Sequence, residues 1–78
     1  MKRNIEKISN DAISQLVDIG QLIRQHRKSF KITANAAAQT AGISRVTLHR
    51  IEKGEPTVSM GAYLNVVSAL DLKLQLSA

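Results

Sequence analysis

Apolar residues recur at helical spacing along most of the chain and switch to strict alternation at its end. Ile19, Ile23, His26 and Phe30 follow a 4-3-4 spacing, which is one face of a helix over about Asp18 to Ser29. Asn10-Asp11 could cap an earlier turn carrying Ile13, Leu16 and Val17, and Gly20 weakens a continuous helix, so the start of this element stays open. Thr33 stands before "ANAAAQTA" as an N-cap, because its hydroxyl can accept a free backbone N–H. A short second helix follows, about Ala34 to Thr40, with Gly42 as its stop. Ile43 anchors the turn and Ser44 caps a third helix, about Arg45 to Lys53. Gly54 ends it, and Pro56 prevents an immediate restart. Ser59 caps a fourth helix, about Met60 to Leu70, whose Met60, Tyr63, Leu64, Val67 and Leu70 share a face.

The last apolar pattern has period two. In "LDLKLQL", Leu70, Leu72, Leu74 and Leu76 alternate with Asp71, Lys73 and Gln75, the signature of a strand. The chain offers no second strand to pair with it. A lone strand leaves its backbone groups unsatisfied, and pairing with its copy under two-fold symmetry removes that cost. The predicted fold class is therefore all-α: a bundle of four to five helices whose C-terminal β-strand pairs across a homodimer through Leu72, Leu74 and Leu76. The predicted organisation is one domain, 1–78, with its core in 18–70 and a dimerisation strand in 71–77.

Length supports the dimer. A 78-residue chain buries a marginal core, and with no cysteine it has neither disulfides nor thiolate metal sites. The absence of cysteine also fits a reducing cytoplasm. The start "MKRNIEKISNDAIS" is too polar for a signal peptide, and no apolar run approaches a membrane span of about 18 residues. Net charge is +5, and it is concentrated. Arg24, Arg27, Lys28, Lys31, Arg45, Arg50 and Lys53 face only Glu52 within thirty residues, a local charge of +6. Such a region is the footprint of a polyanion binder or, more plainly, a solvated charged surface.

The third helix separates these readings. Two short helices around a glycine turn read as a helix-turn-helix, and Ala37, Ala38 and Ala41 are small enough to let them approach closely. Leu48 and Ile51 point to one side of the third helix, leaving Arg45, Val46, His49, Arg50 and Lys53 on the other. No acid stands four residues away on that face to form salt bridges, and an exposed Val46 gains nothing in water. A DNA major groove suits both features: arginine bonds guanine O6 and N7 in pairs, and a small apolar group touches a thymine methyl.

The segment from about Asp18 to Leu72, carried by "IGQLIRQHRK", "ITANAAAQTAGISRVTLHRIEKGEP" and "VSMGAYLNVVSALDL", resembles the Cro/CI-type (Xre) helix-turn-helix family of bacterial DNA-binding proteins. The resemblance implies a lambda-repressor-like bundle whose third helix reads double-stranded DNA. Arg45, Val46, His49 and Arg50 fall at the family's base-reading positions. Thr47 would touch phosphate, with Lys53 at the end of the helix, and Thr33 and Ser44 would present helix N-termini to phosphates. Arg27 and Glu52 occupy positions that pair as an internal ion pair. Two residues depart from the pattern. Ala34 stands where relatives carry a phosphate-holding glutamine, and His26 stands where they carry an aliphatic residue. His26 is expected to be a packed, hydrogen-bonded histidine, since a metal site would need more ligands than it and His49.

"YLNVVSALDLKLQL" after the helix-turn-helix resembles the HipB-type antitoxins, which dimerise through a C-terminal strand pair and partner a HipA-type kinase toxin. The combined expectation is a cytoplasmic, nucleoid-associated regulator. It would act as a dimeric repressor of an inverted-repeat operator, with no cofactor. The alternative is a helix-turn-helix protein-interaction module without DNA binding, whose mark would be acidic or bulky residues on the third helix. A single-strand or RNA binder would stack bases on aromatic residues, yet Phe30 and Tyr63 are both expected on core faces. An enzyme is the weakest reading, since the sequence has no phosphate loop, metal cluster or nucleophile placed beside a base.

Overall fold

The computed structural model describes residues 7–78, and four helices account for most of them: α1 (Asn10–Ser29), α2 (Ala34–Ala41), α3 (Arg45–Glu52) and α4 (Met60–Ala69). Each begins at a hydroxyl. Ser9, Thr33, Ser44 and Ser59 accept the N–H of Ala12, Ala36, Thr47 and Ala62 at 3.0–3.1 Å, a device typically worth about 1 kcal/mol per helix. The cap of α1 is Ser9 and not Asn10-Asp11, and α1 runs unbroken through Gly20 for 20 residues.

Gly20 is tolerated because α3 ends against it. A Cβ there would lie 2.5 Å from the Ile51 carbonyl oxygen and 2.7 Å from that of Glu52. Gly54, with φ +78°, meets α1 in the same way, since its Cβ would fall 2.5 Å from Val17 Cα. The helix penalty of about 1 kcal/mol for an interior glycine is the cost of that close approach.

All four helices also end alike. Lys31, Gly42, Gly54 and Asp71 adopt positive φ. The N–H of the next residue then bonds a carbonyl five positions back: Ile32 to Arg27, Ile43 to Ala38, Glu55 to Arg50 and Leu72 to Val67, at 2.9–3.1 Å. This is the Schellman stop, which also brings the side chain after the left-handed residue onto the preceding turn.

The core is built around Ile23, Leu48, Ile51 and Val66, all essentially inaccessible, with Ala37, Ala38, Ala41, Tyr63, Val67 and Leu70 around them. α2 packs on both α3 and α4, and α1 packs on α3. Three side chains depart from their predicted faces. Phe30 is 65% exposed, because α1 ends at Ser29 and the left-handed turn at Lys31 carries the chain away from the Ile23 face. Met60 and Leu64 are exposed, and Val66 is buried in their stead. α4 is apolar nearly all round, so spacing alone does not choose its inner face.

No strand occurs among the described residues. After Asp71 the tail is irregular. Leu72 is half-buried against the core, Leu74 lies beside Ile19 and Val67 at the edge of two apolar hollows, and Leu76 is almost fully exposed. The leucine alternation thus forms no ladder within one chain.

Candidate nucleic-acid interface

Because Leu48 and Ile51 are drawn into the core, the opposite side of α3 must face outward. Arg45, Val46, His49 and Arg50 are all exposed there, Val46 by 68%. Lys53 extends this surface past the helix end and is exposed as well. At the start of α3, Ser44 Oγ accepts the Thr47 N–H and donates to Thr47 Oγ1, each at 3.0 Å. The pairing leaves the half-buried Thr47 with its own hydroxyl proton to offer. The first N–H groups of α3 lack intrahelical partners, so this end of the helix favours an anion. Thr33 is exposed at the start of α2, where its Oγ1 already caps Ala36.

The helix that presents these groups is held from behind by a bidentate pair. Arg27 Nε donates to Glu52 Oε2 at 2.7 Å and Nη2 to Oε1 at 3.1 Å, while Nη1 donates to the Ile32 carbonyl at 2.9 Å. Both residues are 9% exposed. The hydrogen bond to Glu52 raises the Arg27 pKa above its ordinary value against an opposing desolvation. Charge-assisted forks of this geometry are short and strong. The pair ties the last turn of α1 to the end of α3, whose Glu52 carbonyl also meets Gly20.

Several residues acquire places the sequence did not assign. Arg24 stands exposed on α1, its Nε 3.9 Å from Glu52 Oε1, and shares a shallow cleft with Gln21, His49 and Lys53. That cleft extends the basic surface of α3 onto α1. Arg50 Nε lies 3.3 Å from Glu55 Oε1, so one base-reading candidate has an acidic neighbour five residues on. Spacing at i±4 does not reveal it, because Glu55 comes close through the stop of α3 and not along its face. Tyr63 of α4 donates its hydroxyl to the Glu55 carbonyl at 2.7 Å. Burial pushes the Tyr63 pKa above its ordinary value, and the Glu55 charge adds to that. His26 is half-buried, its Nε2 donating to the Leu70 carbonyl at 3.1 Å and its ring tilted against Phe30. His26 lines a hollow with Phe30 and Leu70, whereas His49 lines the cleft with Arg24 and Lys53. Leu72, Leu74 and Leu76 lie on the tail, apart from the α3 face.

No helix among the described residues is long and apolar enough to cross a membrane. The arrangement is that of a surface for a polyanion: an exposed helix with basic and small apolar side chains, locked to its neighbour by a buried ion pair.

Comparison with known proteins agrees with this geometry. A family model described as a helix-turn-helix domain matches residues 18–78. No curated protein matches the sequence. Among solved structures, the chain is similar to the restriction-modification controller protein C.AhdI from Aeromonas hydrophila. The TM-score is 0.67 at 28% identity, over 77% of this chain and 91% of that one. The chain belongs to the helix-turn-helix family and is a DNA-binding transcription regulator of the Xre/Cro type.

Proposed function

We propose that the protein is a homodimeric repressor that reads an inverted-repeat operator in duplex DNA. In this reading Arg45, Val46, His49 and Arg50 contact base edges in the major groove. Thr33, Ser44, Thr47 and Lys53 contact phosphates and set the register. The observation that carries the proposal is the outer face of α3, where arginine, histidine and an exposed valine stand together over a core-anchored helix. The dimer rests on the leucine tail. Leu64 and Leu74 are exposed at an apolar groove of about 210 Å³ lined also by Leu16, Ile19, Tyr63 and Val67, and Leu76 is exposed further along the tail, a surface that a second copy would cover. Pairing of residues 71–77 between copies would satisfy the tail backbone.

Two operon contexts fit. The resemblance of the tail to HipB-type antitoxins supports a HipA-type kinase toxin as partner. The structural likeness to a restriction-modification controller supports control of a restriction-modification operon. Both make the protein a regulator of the genes around it.

Selection of random duplex DNA by the purified protein, followed by affinity measurement across a salt series, tests the proposal. The expected result is an inverted repeat with half-sites about one helical turn, roughly 34 Å, apart. Affinity should fall steeply with salt as phosphate contacts release counterions. Selection of single, unrepeated sites would remove the dimer. A flat salt response without sequence preference would remove the DNA reading and leave an interaction module.

A further inference from the structure

Of the four Schellman stops, three follow the usual chemistry. The residue after the left-handed position is Ile32, Ile43 or Leu72, and each packs against the core. The stop of α3 breaks the rule. Its residue is Glu55, and the turn that elsewhere delivers an apolar contact delivers a carboxylate to Arg50. Glu55 is fixed at both ends of its peptide: its N–H bonds the Arg50 carbonyl at 3.1 Å, and its own carbonyl accepts the Tyr63 hydroxyl at 2.7 Å. Pro56 follows and restricts the next φ. The carboxylate is therefore a well-placed group on an anchored backbone.

What it does there is not to hold the fold. The Arg50 and Glu55 side chains are 52% and 37% exposed, and exposed pairs contribute little to stability. The effect is on the arginine itself. A long side chain on a DNA-facing helix can bond a base edge or a backbone phosphate, and the phosphate is the stronger attractor of charge. A carboxylate 3.3 Å from Nε restrains the guanidinium, leaves its Nη1–Nη2 edge without a protein partner among the described residues, and repels a phosphate that approaches from the same side.

We propose that Glu55 is a specificity-determining positioning residue: it holds Arg50 through Nε and reserves the remaining edge for guanine O6 and N7, at the expense of phosphate contact. The inference rests on α3 being the DNA-reading helix, and it adds a residue that does not itself touch a base.

Glu55→Gln tests it, because glutamine keeps the size and both main-chain bonds and removes the charge. Arg50→Ala first locates the base pair that Arg50 reads. At that base pair Glu55→Gln should lower the preference about two- to fivefold, the worth of an exposed ion pair. Affinity for random duplex should rise, and the log–log salt slope should steepen by about 0.9 as Arg50 takes up a phosphate. Placed in the Arg50→Ala background, Glu55→Gln should alter preference at no base pair. An unchanged or sharper preference in the single variant would overturn the proposal. So would an equal gain on selected and random DNA, or the same effect with Arg50 absent, since each makes Glu55 a bulk charge. A wild-type protein that selects no duplex sequence would overturn the reading of α3 itself, before any variant is compared.

Discussion

Of the arginine–glutamate pairs on α3, Arg27–Glu52 and Arg50–Glu55 differ in almost every physical respect. Arg27 and Glu52 are buried, joined by two bonds of 2.7 and 3.1 Å, and span α1 and α3. Arg50 and Glu55 are half-exposed, 3.3 Å apart at one nitrogen, and belong to a single turn. In the first, neither charge has water to fall back on, so each depends on the other. In the second, water can replace either partner at little cost. The same two residue types therefore serve as a structural lock in one place and as an adjustable restraint in the other.

The largest effect expected from breaking this contrast is on the buried side. Arg27→Ala leaves the buried Glu52 with the looser 3.9 Å contact to exposed Arg24, and loss of one partner of a buried pair costs about 3–5 kcal/mol. In a domain of this size the melting midpoint should drop by more than about 10 °C. An unchanged midpoint would show that the pair carries no stability. Arg50→Ala is the counterpart. It should cost about 1–3 kcal/mol of operator affinity and relax preference at one base pair. The melting curve should move by no more than the equivalent of about 0.5 kcal/mol. Equal losses on random and selected DNA would instead make Arg50 a phosphate contact.

The smallest effect concerns Tyr63, whose hydroxyl carries the Glu55 loop. Its pKa is raised in the folded state by burial and by Glu55. A raised folded-state pKa contributes stability at pH values below the unfolded value of about 10 and loses it as pH rises through the folded value. Stability should thus decline in the alkaline range above about pH 10, and Tyr63→Phe should show less of that decline. Parallel alkaline curves for the two proteins would remove Tyr63 as the source.

The helices were legible because their signals are local. A serine or threonine before each apolar run marks the caps of α2, α3 and α4, and glycine marks two of the stops. What could not be read is what the tertiary fold decides. Gly20 looks like a weak point until Ile51 and Glu52 lie against it. Phe30 keeps the helical spacing of Ile23 but sits beyond the last helical residue, where periodicity no longer applies. The inner face of α4 is hidden by an apolar surround that only packing resolves, in favour of Val66 over Met60 and Leu64. On the α3 face the outward side chains followed from Leu48 and Ile51 alone. Glu55 did not, because a left-handed turn, and no regular period, sets its distance from Arg50. The leucine alternation of the tail describes a possible ladder whose other half a single chain does not contain.

The contact of Gly20 and Gly54 with the facing backbones has an evolutionary consequence. At this junction the placing of α3 on α1 is set by main chain against main chain, with no room for a Cβ on either glycine. None of Arg45, Val46, His49 and Arg50 takes part in it. The outward residues can accordingly drift, one substitution at a time, without shifting the axis of the helix that displays them. In the proposed reading of α3, the address that such a protein recognises is then a short, rewritable text on a rigid page, and lineages can exchange target sequences without first having to evolve a new fold.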